Sequence, residues 1–155
     1  MLFRSVSGTL IAKTLKFFKA EVSYYSRTRK ENLEQEYGFV YKDLNTLCKE
    51  SEAIFLALNK NVFLLNKEQF DLMNGKKILF NTSIGPGFDV DALADWLNDK
   101  NHFFFGDTLA TIGNTSLWEK ENTFTINRSS GGYTFQSFKR LGDKVLNNIY
   151  EFINK

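Results

Sequence analysis

Asn81-Thr82-Ser83-Ile84-Gly85-Pro86-Gly87-Phe88-Asp89-Val90-Asp91-Ala92-Leu93 is the stretch on which the fold turns. It begins where the apolar run Ile78-Leu79-Phe80 stops. A short run that is continuously apolar, rather than alternating, suits a strand buried on both faces of a parallel sheet. It passes into a helical pattern over residues 89–98, with Val90, Leu93, Ala94 and Leu97 on one face and Asp89 placed as the N-cap. Strand, connecting loop and helix therefore follow one another inside about twenty residues.

The same alternation extends in both directions. Ala53-Ile54-Phe55-Leu56-Ala57-Leu58 and Phe103-Phe104-Phe105 are further continuous runs. The phenylalanine run reads as sheet core rather than a base-stacking platform. A helical pattern over 68–73 separates the first run from Ile78. Towards the amino end, Ile11, Leu15 and Phe18 give a helix over about 8–19, followed by a strand over 21–25. Residues 30–37 form a charged short helix or loop, 39–41 a strand and 43–49 a short helix. Towards the carboxyl end come a strand over 123–126 and a long amphipathic helix over about 133–153, striped by Phe138, Leu141, Val145, Ile149 and Phe152. Alternating buried strands and helices define an α/β fold, a doubly wound parallel sheet of Rossmann-like type. The whole chain, 1–155, forms one domain. Ligands of such sheets bind outside the carboxyl ends of the strands, so the loops after each strand are where function is sought.

Composition narrows the chemistry. The 155 residues are 43% hydrophobic, 25% charged and 15% aromatic, the profile of a globular domain that buries roughly two thirds of its unfolded surface without a staple. One cysteine, Cys48, excludes an internal disulfide and a multi-cysteine zinc site; it reads as a buried core thiol. With a single histidine, His102, any triad or metal centre has to use that residue. Asp89, Asp91 and Asp95 read as a cap and a solvated face, so no metal is expected. The three Asn-x-Ser sequons starting at Asn81, Asn114 and Asn127 mean little without a secretory signal. Residues 1–30 carry Arg4, Lys13, Lys16, Lys19, Arg27, Arg29 and Lys30 against one acid, Glu21, although the whole chain is only +2. A local excess of this kind suits an anion site better than nucleic acid. Lysines interrupt the first apolar segment, which excludes a membrane span there. The basic, acid-free first twenty residues resemble a mitochondrial presequence, but an ordinary domain helix in a cytoplasmic protein is the preferred expectation.

The loop over 81–87 and the start of the following helix resemble the signature of D-isomer-specific 2-hydroxyacid dehydrogenases. In that family a strand ends at Asn-Thr/Val-Ser/Ala-Arg-Gly, and a helix begins around Val-Asp-x-x-Ala-Leu. Four other segments match in order: the helix beginning at Gly8, the strand and basic loop over 21–30, the strand running into Leu58-Asn59-Lys60, and Gly106-Asp107. Gly132-Tyr133-Thr134-Phe135-Gln136 resembles the Gly-x-Thr-x-Gln that opens the family's last helix. The resemblance implies a Rossmann-like domain that binds NAD or NADP for hydride transfer between 2-hydroxy and 2-oxo acids. It places the cofactor on Gly8, Ser26, Arg27, Thr28, Arg29, Leu58, Asn59, Thr82, Ser83, Asp107 and Gly131.

The same alignment removes the catalytic groups. The family's substrate-binding arginine falls on Ile84, its glutamate on Ala110 and its histidine on Ser129. None of these side chains titrates near neutral pH. In the phosphate fingerprint only the third glycine, Gly8, is kept; Phe3 and Ser5 replace the others. The ribose end is better preserved. NAD-selective members carry an acid after the second strand, whereas here Ser26 is followed by Arg27, Thr28 and Arg29, a set that suits a 2′-phosphate and hence NADP over NAD.

Family members have about twice this length. The sequence therefore predicts the dinucleotide-binding half of such an enzyme, with a first strand confined to residues 1–5. Residues 132–155 would form a helix that normally meets a substrate domain. The expected function is an NAD(P)-binding domain that is catalytically impaired by itself. Alternatives are a divergent 2-oxoacid reductase completed by a partner chain, or a non-catalytic dinucleotide-binding or interaction module. A homodimer, or a partner supplying the missing domain, would use the last helix.

Overall fold

The computed structural model describes residues 2–3, 6–60, 62–125 and 134–154. Strand β1 (Leu2–Phe3) leads into helix α1 (Val6–Phe17), and β2 (Ser23–Tyr24) into α2 (Glu31–Tyr37). Then come β3 (Val40–Tyr41), α3 (Leu44–Glu50), β4 (Ala53–Ala57), α4 (Lys67–Leu72) and β5 (Lys77–Asn81). Helix α5 (Val90–Trp96), strand β6 (His102–Gly106), strand β7 (Thr123–Thr125) and helix α6 (Phe135–Ile153) complete the order. Each expected element is present within a few residues of its expected bounds. Two 3-10 turns, Leu109–Ile112 and Thr115–Glu119, fill the β6–β7 connection, where no regular element was expected.

All strand pairings are parallel, in the order β1-β4-β5-β6-β7, with β2 and β3 forming a separate two-stranded sheet. Strands β2 and β3 thus stand apart from β1 rather than continuing its sheet. With two residues each, β1 and β2 offer few ladder hydrogen bonds to join them.

Alternate residues of the central strands face two cores. Ile54, Leu56, Leu79 and Phe104 point into the larger one, against Leu47, Phe70, Leu93 and Trp96 from α3, α4 and α5. The opposite face meets α1 through Ala57 and Ala12. There Phe55, Phe80, Phe105 and Phe124 lie in register on four neighbouring strands. Their rings stack with centroids 4.3, 5.0 and 4.7 Å apart, adding aromatic contact to the ladder hydrogen bonds. Cys48 is fully buried in the larger core, as expected, and burial pushes its thiol up to about 12.

Asp89 caps α5, accepting the Asp91 and Ala92 N–H groups at 3.0 Å, which fixes where the loop after β5 ends. Helix α6 is bounded by a Thr134–Ser137 capping box and has no buried residue. Its whole apolar stripe is exposed. Among the described residues no helix is long and apolar enough to cross a membrane.

Candidate dinucleotide site at the carboxyl edge

Because every pairing is parallel, the loops that leave the strands gather along one edge. Helix α1 is the next element after β1, which pairs with the parallel β4, so its amino, positive dipole end lies at that edge. Gly8 is buried in the first turn of α1, consistent with close helix–strand packing. No acid stands in that turn.

The loop after β5 is organised from within by Asn81. Its side-chain amide donates to the Gly85 carbonyl at 3.1 Å and the Thr111 carbonyl at 2.9 Å. Its Oδ1 accepts the Ser83 N–H at 2.9 Å. Ser83 Oγ in turn accepts the Leu58 N–H at 2.8 Å, and Thr82 Oγ1 donates to the Leu56 carbonyl at 2.9 Å. Thr82, Ser83 and Leu58 are therefore brought together, tying the loops after β4 and β5 to one another; Asn59 is exposed beside them. Asp107 N–H donates to the Asn81 carbonyl at 3.3 Å, which joins the loop after β6 to the same group. A cleft of about 410 Å³ opens here, walled by Phe80, Phe105 and Phe124 and edged by Asn81, Thr82 and Asp107. An apolar wall with a few convergent polar groups is the usual make-up of a ligand site.

The loop after β2 forms the other end. Ser26 is buried, and its hydroxyl donates to the Thr28 carbonyl at 2.6 Å, closing a tight turn. Arg27, Thr28 and Arg29 are exposed on it. Arg29 donates from Nε at 2.9 Å and Nη2 at 2.8 Å to the two oxygens of Glu34. The Arg29 guanidinium and the Tyr24 hydroxyl hold the Glu34 carboxyl down at about 2. Burial and the Glu34 contact push the Tyr24 phenol up to about 12.

Of the three positions on which the family's catalytic groups were expected to fall, two lie among the described residues. Ile84 stands 73% exposed on the loop after β5, and Ala110 is exposed on the first 3-10 turn. Ser129 and Gly131, together with the start of the Gly-x-Thr-x-Gln segment, lie outside the described residues. His102 opens β6 and so sits at the opposite, amino edge. There its Nδ1 hydrogen-bonds the Trp96 carbonyl at 2.7 Å and its ring stacks on Trp96 at 4.2 Å. A hollow of about 550 Å³ also opens at the amino edge; it is lined by Glu21, Glu50 and Glu52 against a single cation, Lys42, which is paired with Glu50, a balance that would repel a pyrophosphate. The carboxyl-edge cleft is smaller, but its position suits a Rossmann-like sheet. Among the described residues no group of three or more His, Cys, Asp or Glu could hold a metal ion.

Two contributors were missed from sequence. Asn81 was visible in the motif but not as the hub of the loop. Glu34 gave no signal, because its link to Arg29 spans a turn and the start of a helix rather than one helical face.

Residues 6–125 match the family model described as D-isomer specific 2-hydroxyacid dehydrogenase, NAD binding domain. The chain belongs to this family, as its NAD-binding domain, and a nicotinamide dinucleotide is the cofactor class so indicated. It is 38% identical over 152 residues to a glyoxylate reductase of Pyrococcus horikoshii, covering 94% of this chain and 45% of that protein. A glyoxylate reductase of Pyrococcus furiosus is 29% identical over 152 residues, with the same coverage. Among solved structures, D-lactate dehydrogenase of Aquifex aeolicus, determined with NAD and lactic acid, superposes with a TM-score of 0.81 at 23% identity. That match covers 99% of this chain and 52% of the other. The chain spans about half the length of the curated relatives it matches.

Proposed function

We propose that this chain binds a nicotinamide dinucleotide across the carboxyl edge of its sheet and prefers NADPH to NADH. The single observation that carries the preference is the loop after β2. It carries Ser26 where NAD-selective members of the family hold an acid and presents Arg27 to solvent beside it, and the nearby carboxylate, Glu34, is already paired with Arg29. The amino end of α1 suits the pyrophosphate. The Asn81-organised loop and the aromatic cleft suit the nicotinamide half, which we assign to Thr82, Ser83 and Asp107. When bound, such a cofactor supplies or accepts a hydride; the chain's own residues bind and orient it.

The reaction class proposed is interconversion of 2-hydroxy and 2-oxo acids, supported by the glyoxylate reductases among the relatives. Turnover by this chain alone is proposed to be weak or absent. Ile84 offers no charge to a substrate carboxylate, and Ala110 cannot orient a proton donor. We place this chemistry in the cytoplasm. We also place a second copy of the chain on the exposed stripe of α6, because a 19-residue helix without buried residues is marginal in water by itself. Fluorescence titration with NADPH and NADH tests the binding, and reduction of glyoxylate, pyruvate or hydroxypyruvate tests the turnover. Rapid reduction by the purified chain would overturn the second claim.

A further inference from the structure

Arg27 and Arg29 stand two residues apart on the loop after β2, and by sequence they are equivalent cations. Their surroundings differ. Arg29 is gripped by both oxygens of Glu34, at 2.9 and 2.8 Å, in the planar fork that suits a guanidinium and a carboxylate. Tyr24 donates its hydroxyl to Glu34 Oε1 at 2.7 Å and accepts the Lys30 N–H at 2.7 Å, so the pair is anchored to the loop backbone. The guanidinium also lies over the Tyr41 ring, 5.7 Å from its centroid. Arg27 is exposed and makes no hydrogen bond or ion pair with the described residues.

A phosphate dianion approaching Arg29 meets a carboxylate within hydrogen-bonding distance of the same cation. The two charges largely cancel in the field felt by the anion, and capture of Arg29 requires opening a charge-assisted fork. Arg27 presents its full charge with no such competitor. The anchored chain from Lys30 N–H through Tyr24 to Glu34 meanwhile holds the carboxyl end of the loop that carries Arg27.

We propose that Glu34 is a positioning residue for cofactor selectivity: it withdraws Arg29 from the anion and leaves Arg27 to read a 2′-phosphate. This rests on the reading that the loop after β2 receives the adenosine ribose. The division of labour is specific to this geometry, since a loop with two unpaired arginines would share the anion between them.

The test uses the full chain and two probes of the ribose end alone, adenosine 2′,5′-bisphosphate and 5′-AMP, titrated by calorimetry. Wild type should bind the bisphosphate more tightly. Arg27→Ala should lose about tenfold or more of that preference, the scale of one charge-assisted contact. Arg29→Ala bares the Glu34 carboxylate, so the share of the Arg29 cation is read from the neutral pair Arg29→Gln, Glu34→Gln, which should keep the preference within about threefold. Glu34→Gln, which releases Arg29, should raise the preference and steepen its dependence on salt. The paired Arg29→Gln, Glu34→Gln variant keeps an uncharged link in case a single variant misfolds, and should retain the wild-type preference. A loss in the Arg29→Gln, Glu34→Gln variant equal to that in Arg27→Ala, or a weaker preference in Glu34→Gln, overturns the assignment while leaving NADPH selectivity standing. A wild-type chain that does not distinguish the two probes overturns both.

Discussion

At the residue scale, the Arg29–Glu34 pair gives stability a defined pH dependence. Glu34 is held at about 2 in the folded chain, chiefly by the Arg29 guanidinium, against an ordinary 4.5. A depressed carboxyl stabilises the fold fully above its unfolded value and loses that contribution as pH falls through the folded one. The melting temperature of wild type should therefore exceed that of Glu34→Gln most clearly at neutral pH. The gap should close between about pH 4.5 and 2; a gap independent of pH would contradict the pairing. Cys48 gives a second test. Fully buried and pushed up to about 12, it should resist a thiol reagent at neutral pH until urea unfolds the chain. One rapidly titrating thiol in the native protein would refute the packing. Ser26, Arg27 and Thr28 were legible in the sequence because they follow a strand directly. Glu34 was not, since only the folded turn brings it back to Arg29.

At the element scale, the strands and helices were legible because their apolar periods are clean. Phe103-Phe104-Phe105 reads as a strand whichever face each ring takes. The two 3-10 turns were not legible. Leu109, Ile112 and Leu117 follow no helical or alternating period, and local bonds such as Thr111 Oγ1 to the Thr108 carbonyl at 2.6 Å hold the first turn. Strand β6 makes a quantitative claim. Phe104 is fully buried between α5 and the second 3-10 turn, with Phe88 and Trp118 against its ring. Phe104→Ala should cost about 3–5 kcal/mol in urea unfolding, whereas the more exposed Phe124→Ala should cost clearly less. Equal losses would mean that the two faces of the sheet are not packed as described. In the loop after β5, Asn81→Ala leaves the Gly85 and Thr111 carbonyls without their donor and should cost about 1–3 kcal/mol.

At the scale of the whole molecule, parallel strands gather the candidate loops along one edge, and α6 keeps its apolar stripe exposed. The second copy proposed on the exposed stripe of α6 would make association concentration-dependent. Sedimentation at tens of micromolar should show a dimer, and Leu141→Asp with Val145→Asp a monomer of unchanged circular dichroism; a monomeric wild type would remove the second copy. The central claim is tested most directly by titrating the purified chain with NADPH and with NADH and following intrinsic fluorescence. Saturable binding of both, tighter for NADPH, is the predicted result. No binding of either up to millimolar concentration, or tighter binding of NADH, would contradict it.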